Sequence, residues 1–107
     1  MQHDAAAGVL RLTAWGFWSI EVSLSFEQLA IDARRQEPTT RELVLDMSRL
    51  KPLRDEGQRS IAKLLALLPE LGITRTTVLT TSQLTKLQLL RIVRESGAKD
   101  QVVFADA

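Results

Sequence analysis

The sequence predicts a single-domain α/β protein built on a mostly parallel sheet. Three observations predict it. The chain has 107 residues, which fits one domain and is too short for two ordinary cores. Segments of period-two and helix-period hydrophobicity alternate along it. Residues 41–72 read as a buried strand, a short turn and an amphipathic helix, the unit from which parallel sheets are assembled.

Residues 1–8 are Ala-rich without a pattern and are expected to form a flexible lead-in, with residues 9–107 as the domain. Residues 9–15 alternate, with Val9, Arg11 and Thr13 on one face and Leu10, Leu12 and Ala14 on the other, so a strand is predicted. Ser19 is a suitable N-cap, because its hydroxyl can accept from a free amide at a helix start. A helix follows to about Gln36. Ile20, Leu24 and Ile31 mark one edge of its apolar face, Phe26, Leu29, Ala30 and Ala33 fill it, and Glu27, Asp32, Arg34 and Arg35 stay in solvent. Pro38 ends it. Residues 43–47 form a short apolar run that suits a strand covered on both faces.

The helix expected from Asp55 to Gly72 has the clearest periodicity, with Gly57, Ile61, Leu64, Leu65, Leu68 and Leu71 on one side. Residues 75–80 are rich in β-branched side chains and predict a strand. Thr81 or Ser82 caps a third helix whose expected apolar stripe is Leu84, Leu87, Leu90, Ile92 and Val93, with Leu89 off the core face. Residues 101–104 close the chain as a strand. The resulting order is β-α-β-α-β-α-β with right-handed crossovers.

Composition narrows the function. Fourteen basic and 13 acidic residues give a formal charge of +1, and Arg34-Arg35 is the sole adjacent basic pair, read as a solvated helix end. Such a balance gives no electrostatic case for nucleic acid. No apolar stretch approaches the ~20 residues that span a bilayer, so no stable membrane insertion is expected. The absence of cysteine and of signal-peptide features makes the cytoplasm the expected compartment.

Catalytic chemistry is sparse. His3 is the single histidine, and neither a Gly-x-Gly-x-x-Gly nor a Walker loop is present, so no enzyme activity, cofactor or metal is expected. Asp46, at the carboxyl end of a predicted parallel strand, reads as a turn former that bonds nearby amides. Asp55-Glu56 at a helix start complements the helix dipole. Trp15, Phe17 and Trp18 form an aromatic cluster. It reads as a plug at one end of the core, as the mouth of a site for an apolar or lipid-like ligand, or as the interface of a structural homodimer.

Residues 44–57, Val-Leu-Asp-Met-Ser-Arg-Leu-Lys-Pro-Leu-Arg-Asp-Glu-Gly, resemble the signature region of STAS domains, which include the bacterial anti-sigma-factor antagonists and the cytoplasmic tails of sulfate transporters. The family pattern is apolar-apolar-Asp-Leu-Ser, a few residues, then Asp-Ser-Ser-Gly-Leu opening a helix. Asp46, Ser48 and Gly57 match it without a gap, and the likeness covers residues 41–104. It implies a STAS-like fold and a non-enzymatic module that binds a protein partner, such as a regulatory kinase or an anti-sigma-like factor. The implied contact residues are Arg49, Arg54, Asp55, Glu56 and Arg59.

The resemblance also marks a departure. Arg54 stands where the antagonists have their second Asp, and Asp55 where they carry the phosphorylated serine. Asp55 supplies a charge of about −1 against roughly −1.5 to −2 for a phosphoserine. A second likeness, through Gly16-Phe17-Trp18-Ser19 and residues 82–91, is to bacterial proteins grouped with STAS and CRAL-TRIO lipid-transfer-like domains.

Overall fold

A computed structural model of the chain describes residues 2–6, 8–97 and 100–106. The elements are β1 (Gln2–Ala6), β2 (Val9–Gly16), α1 (Ile20–Gln36), β3 (Glu42–Leu50), α2 (Asp55–Leu67), β4 (Arg75–Thr80), α3 (Gln83–Ser96) and β5 (Val102–Asp106). They form one five-stranded sheet in the order β1-β2-β3-β4-β5. β2 to β5 are parallel, as expected of alternating strands and helices. The lead-in expected over residues 1–8 instead contributes β1, which pairs antiparallel with β2 from Gln2 opposite Thr13 to Ala6 opposite Val9. Met1 and Ala7 lie outside the described residues. A five-residue stretch of Gln, His, Asp and Ala carries little strand propensity of its own; the ladder to β2 supplies its structure.

Sequential parallel neighbours joined by right-handed crossovers place all three helices on one face of the sheet, with α2 packed between α1 and α3. Burial follows this layering. Leu10, Leu12 and Ala14 of β2, Leu43, Leu45 and Met47 of β3, and Thr76, Val78 and Thr80 of β4 are buried, while the residues between them are half-buried or exposed. Val44 and Asp46 are only half-buried, so β3 is not covered on both faces as its apolar run suggested.

Both expected caps are present. Ser19 Oγ accepts from Val22 N at 3.2 Å and Ser82 Oγ from Thr85 N at 3.2 Å. The exit of α1 differs from the expected solvated end. Arg35 is exposed, but Arg34 is half-buried, and its guanidinium donates to the carbonyls of Pro38 (2.6 Å) and Thr40 (2.8 Å). It lies over Gly72, where φ is +87° and a Cβ would come within 2.6 Å of it. Arg34 thus ties the end of α1 to the connection into β3 and lies against the turn at Gly72, a role that charge patterning does not reveal.

On two helices part of the expected apolar face is buried and part is not. On α1, Phe26, Ala30 and Ala33 are buried with Ser23, whereas Ile20 (52% exposed) and Leu24 (57%) face solvent. On α3, Leu89 is 1% exposed and packs inward with Thr85, Ile92 and Val93, whereas Leu84 (54%) and Leu87 (56%) point out. On α2 the expectation is met: Gly57, Ile61, Leu64 and Leu65 are buried, with Leu68 just beyond the helix.

Candidate interaction surface at the carboxyl end of the sheet

Parallel strands alternating with helices bring the carboxyl ends of β2, β3 and β4 and the amino ends of all three helices to one end of the molecule. The connection from β3 to α2, residues 51–54, lies there with Arg54 in it, Arg49 just before it, and Asp55, Glu56 and Arg59 in the first turns of α2 just after.

Its geometry begins with a bulge. Thr13 pairs with Asp46 but Trp15 pairs with Arg49, so β3 holds one residue more than β2 over this stretch. The extra residue inverts the inward phase: Leu43, Leu45 and Met47 are buried, then Leu50 rather than Arg49. Asp46 holds the bulge. Its Oδ1 accepts from the hydroxyl of Ser48 at 2.6 Å and from the backbone amide of Ser48 at 3.1 Å, and its Oδ2 pairs with Arg11 at 3.2 Å. The Ser48 hydroxyl above all, then its amide and the Arg11 guanidinium, keep the Asp46 carboxyl below its ordinary pKa, with burial opposing them in part. Asp46 and Ser48 therefore act as a turn-forming pair, and all of Asp46's described partners are structural.

The turn is fastened from α3 and α2. Gln88 meets the backbone of Leu53 twice: its Oε1 accepts from Leu53 N at 2.9 Å and its Nε2 donates to Leu53 O at 3.0 Å. Gln58 Nε2 donates to the same carbonyl at 3.1 Å, and Arg91 donates in turn to Gln58 Oε1. The Leu53 side chain is buried. Both glutamines escaped the sequence analysis, because an amide at a helical position signals nothing until a backbone passes beside it.

Gly57 explains the third matched position. A Cβ there would lie 2.9 Å from the carbonyl oxygen of Trp18 and 3.6 Å from Leu53 Cδ2. The first turn of α2 thus rests directly on the chain leading into α1, and Glu56 Oε1 accepts from Ile20 N at 3.4 Å across the same junction. Asp55 is not a side-chain cap. Arg54 occupies the N-cap position without a side-chain hydrogen bond, and Asp55 stands in the exposed first turn, where its charge favours the helix dipole.

The aromatic cluster divides. Trp18 is 4% exposed, packs on Phe26 with ring centroids 4.7 Å apart, and donates from Nε1 to Ser23 Oγ at 2.5 Å. It is core, as the plug reading holds. Trp15 and Phe17 are about half exposed, so the three rings do not form a single mouth. Phe17 lies under two cations of the turn, Arg54 at 4.1 Å and Lys51 at 5.0 Å from its centroid, while Trp15 is the cross-strand neighbour of Arg49. The structure therefore joins two sets that the sequence kept apart: Trp15 and Phe17 share a surface with Arg49 and Arg54, next to Asp55, Glu56 and Arg59, all exposed.

This architecture recurs in solved proteins. The structure of the unphosphorylated anti-sigma factor antagonist SpoIIAA matches 99% of the chain at a TM-score of 0.64 and 16% identity, with 87% of SpoIIAA covered. The chain has the fold of the anti-sigma factor antagonists. TM1081 of Thermotoga maritima, assigned as such an antagonist, agrees over 99% of the chain and 86% of its own, at a TM-score of 0.65 and 13% identity. A structure of Mglu matches 72% of the chain at a TM-score of 0.57 and 22% identity, but the chain spans 18% of that protein. No protein-family model matches the sequence, and no curated protein matches it. The antagonist fold agrees with the STAS-like expectation from Asp46, Ser48 and Gly57, while the CRAL-TRIO likeness is not confirmed. No helix among the described residues is long and apolar enough to cross a membrane.

Proposed function

We propose that this chain is a non-enzymatic interaction module that binds a regulatory protein, of the kinase or anti-sigma-like kind, through the turn and helix start at residues 49–59. The observation that carries this reading is the fastened turn. Gln88 and Gln58 hold the Leu53 backbone while Arg49, Arg54, Asp55, Glu56 and Arg59 around it are exposed. A buried anchor beneath a solvent-facing row of charges and two rings presents a preorganised surface, which lowers the ordering cost of association. Arginine and aromatic side chains are also the groups enriched in interface cores.

Asp55 takes the position of the phosphoacceptor, so the surface carries a fixed negative charge and no switch there. The partner is expected to recognise that constant charge. The ligand-binding reading loses Trp18 to the core and retains no enclosed space around Trp15 and Phe17 among the described pockets.

The test is affinity capture from the native host with the full chain, in parallel with Asp55→Lys and Arg54→Glu. Recovery of the same regulatory protein by the wild type, with loss of at least about tenfold in either variant, supports the reading. Equal recovery by the wild type and both variants, or capture of nothing by the wild type, refutes it.

A further inference from the structure

Between α1 and α2 runs a groove of about 330 Å³ whose floor is not purely apolar. It holds Leu64 and two hydroxyls, Ser23 and Ser60, each only 7% exposed. Both hydroxyls keep hydrogen-bonding capacity that the fold does not use. Ser23 Oγ accepts from the Trp18 indole, and its own hydrogen has no acceptor among the described residues. Ser60 Oγ donates to Gly57 O at 3.1 Å, which leaves its lone pairs open. A buried donor and a buried acceptor thus line one space, and polar groups so buried ordinarily have partners.

The charges on the walls are ordered along the groove. Two contacts bring the starts of α1 and α2 level: Glu56 Oε1 accepts from Ile20 N, and Gly57 rests on the Trp18 carbonyl. The two helices run in the same direction, because each follows one of two parallel strands. Counted from Ile20 and Glu56, Ser23 and Arg59 each stand three residues on, about 4.5 Å along the axis. Glu27 and Lys63 each stand seven residues on, about 10.5 Å. The amino end therefore offers one carboxylate and one guanidinium beside the Ser23 hydroxyl. Leu24 on the wall and Leu64 on the floor supply apolar surface further in, and Glu27 and Lys63 stand at the far end. Among the described residues none of these four charges is held in an ion pair; the pair that forms is Arg11 with Asp46.

We infer that this groove binds a free α-amino acid with an apolar side chain, of the leucine or phenylalanine class. Its carboxylate accepts from Arg59 and from the Ser23 hydroxyl, which stand at one level. Its ammonium meets Glu56 and donates to Ser60 Oγ. Its side chain lies on Leu24 and Leu64, and Glu27 and Lys63 limit its length. A fatty acid would set its carboxylate beside Glu56, and an alkylamine would leave Arg59 without a partner. The volume agrees, since it lies at the lower end of the ~300–1,000 Å³ of ligand sites. The groove is not the aromatic mouth expected from the sequence, for none of Trp15, Phe17 and Trp18 lines it. It does not depend on the protein-binding proposal, although Glu56 and Arg59 belong to both surfaces.

Isothermal titration calorimetry of the full chain tests it. L-leucine or L-phenylalanine is expected to bind with a Kd at or below ~1 mM. L-leucinamide lacks the carboxylate and N-acetyl-L-leucine lacks the ammonium, so each should bind at least about tenfold more weakly. These two also imitate the amino and carboxyl ends of a peptide. Either one binding as tightly as leucine would assign the groove to a chain end and overturn the inference. Arg59→Gln should erase the preference for leucine over leucinamide, and Glu56→Gln the preference over N-acetyl-leucine. Both side chains are exposed, so neither exchange disturbs the core. Occupancy should also shift the Trp18 indole N–H resonance, because that group donates to Ser23. No binding by either measure at ~10 mM amino acid overturns the inference, as do preferences that survive both substitutions.

Discussion

Replacing Gly57 by alanine should destabilise the protein, although alanine is the better helix former. In an exposed helix the exchange is favourable by up to about 1 kcal/mol. Here the added methyl would stand 2.9 Å from the Trp18 carbonyl oxygen, which belongs to the backbone and cannot rotate away. Either α2 must shift outward by a few tenths of an ångström or the chain before α1 must yield. Overpacking of this kind costs about 1–3 kcal/mol. Setting the helix gain against it leaves a net loss of about 1–2 kcal/mol. In a domain of this size, 1 kcal/mol moves Tm by roughly 4–8 °C. Thermal unfolding followed by circular dichroism should therefore show Gly57→Ala melting about 5–10 °C below wild type. The fluorescence of buried Trp18 would report the displacement at its source. A variant as stable as wild type, or more so, would show that the first turn of α2 does not rest on the Trp18 carbonyl, and the physical reason given for glycine at this position would fall.

Three further outcomes follow from the same contacts. The Asp46 carboxyl is held below its ordinary pKa of 3.8, so its charge stabilises the fold above the unfolded-state value, and that stabilisation is lost as pH falls through the folded value; the stability gap between wild type and Asp46→Asn should be flat at neutral pH and narrow below about pH 4 in urea titrations. Gln88→Ala removes both bonds to the Leu53 backbone, and hydrogen exchange at Leu53 N should accelerate roughly fivefold for a net bond worth ~1 kcal/mol; unchanged protection would mean that the turn is held by Gln58 and packing alone. Leu89→Ala should cost about 2–5 kcal/mol, whereas Leu84→Ala in dilute protein should stay within about 0.5 kcal/mol, the reverse of what the spacing of these leucines suggests.

That reversal shows where sequence reasoning succeeds and fails. Helix starts and β4 were legible because they depend on local chemistry: Ser19 and Ser82 cap the helices they were expected to cap, and β4 occupies residues 75–80 as its β-branched run indicates, although α2 ends at Leu67 and not at Gly72. The face of a helix is not local. α3 has apolar residues on two sides, Leu84 and Leu87 on one and Leu89, Ile92 and Val93 on the other, and periodicity alone favours either. A tertiary contact decides between them. The amide of Gln88 must reach the Leu53 backbone, which turns Leu89 inward and draws the polar Thr85 into the core. α1 behaves similarly, with Ser23 taken inward by the Trp18 indole and Ile20 and Leu24 left outside. β1 was illegible for a related reason: its strand exists through pairing with β2 and leaves no mark in its own residues.

The positions that the sequence misplaced form an exposed apolar set on α1 and α3. A core position and an interface position ask for the same side chain, since both remove apolar surface from water. Helical spacing therefore assigns both to the interior until the fold shows that the interior is already full. In this chain Phe26, Ala30 and Ala33 fill the space under α1, and Leu89, Ile92 and Val93 the space under α3, so Ile20, Leu24, Leu84 and Leu87 are a second apolar set with no place in the monomer. The charged turn at residues 49–59 shows the converse. Its residue types were readable as exposed, but their arrangement was not, because Phe17 and Arg54 are 37 positions apart and meet only through the parallel pairing of β2 with β3.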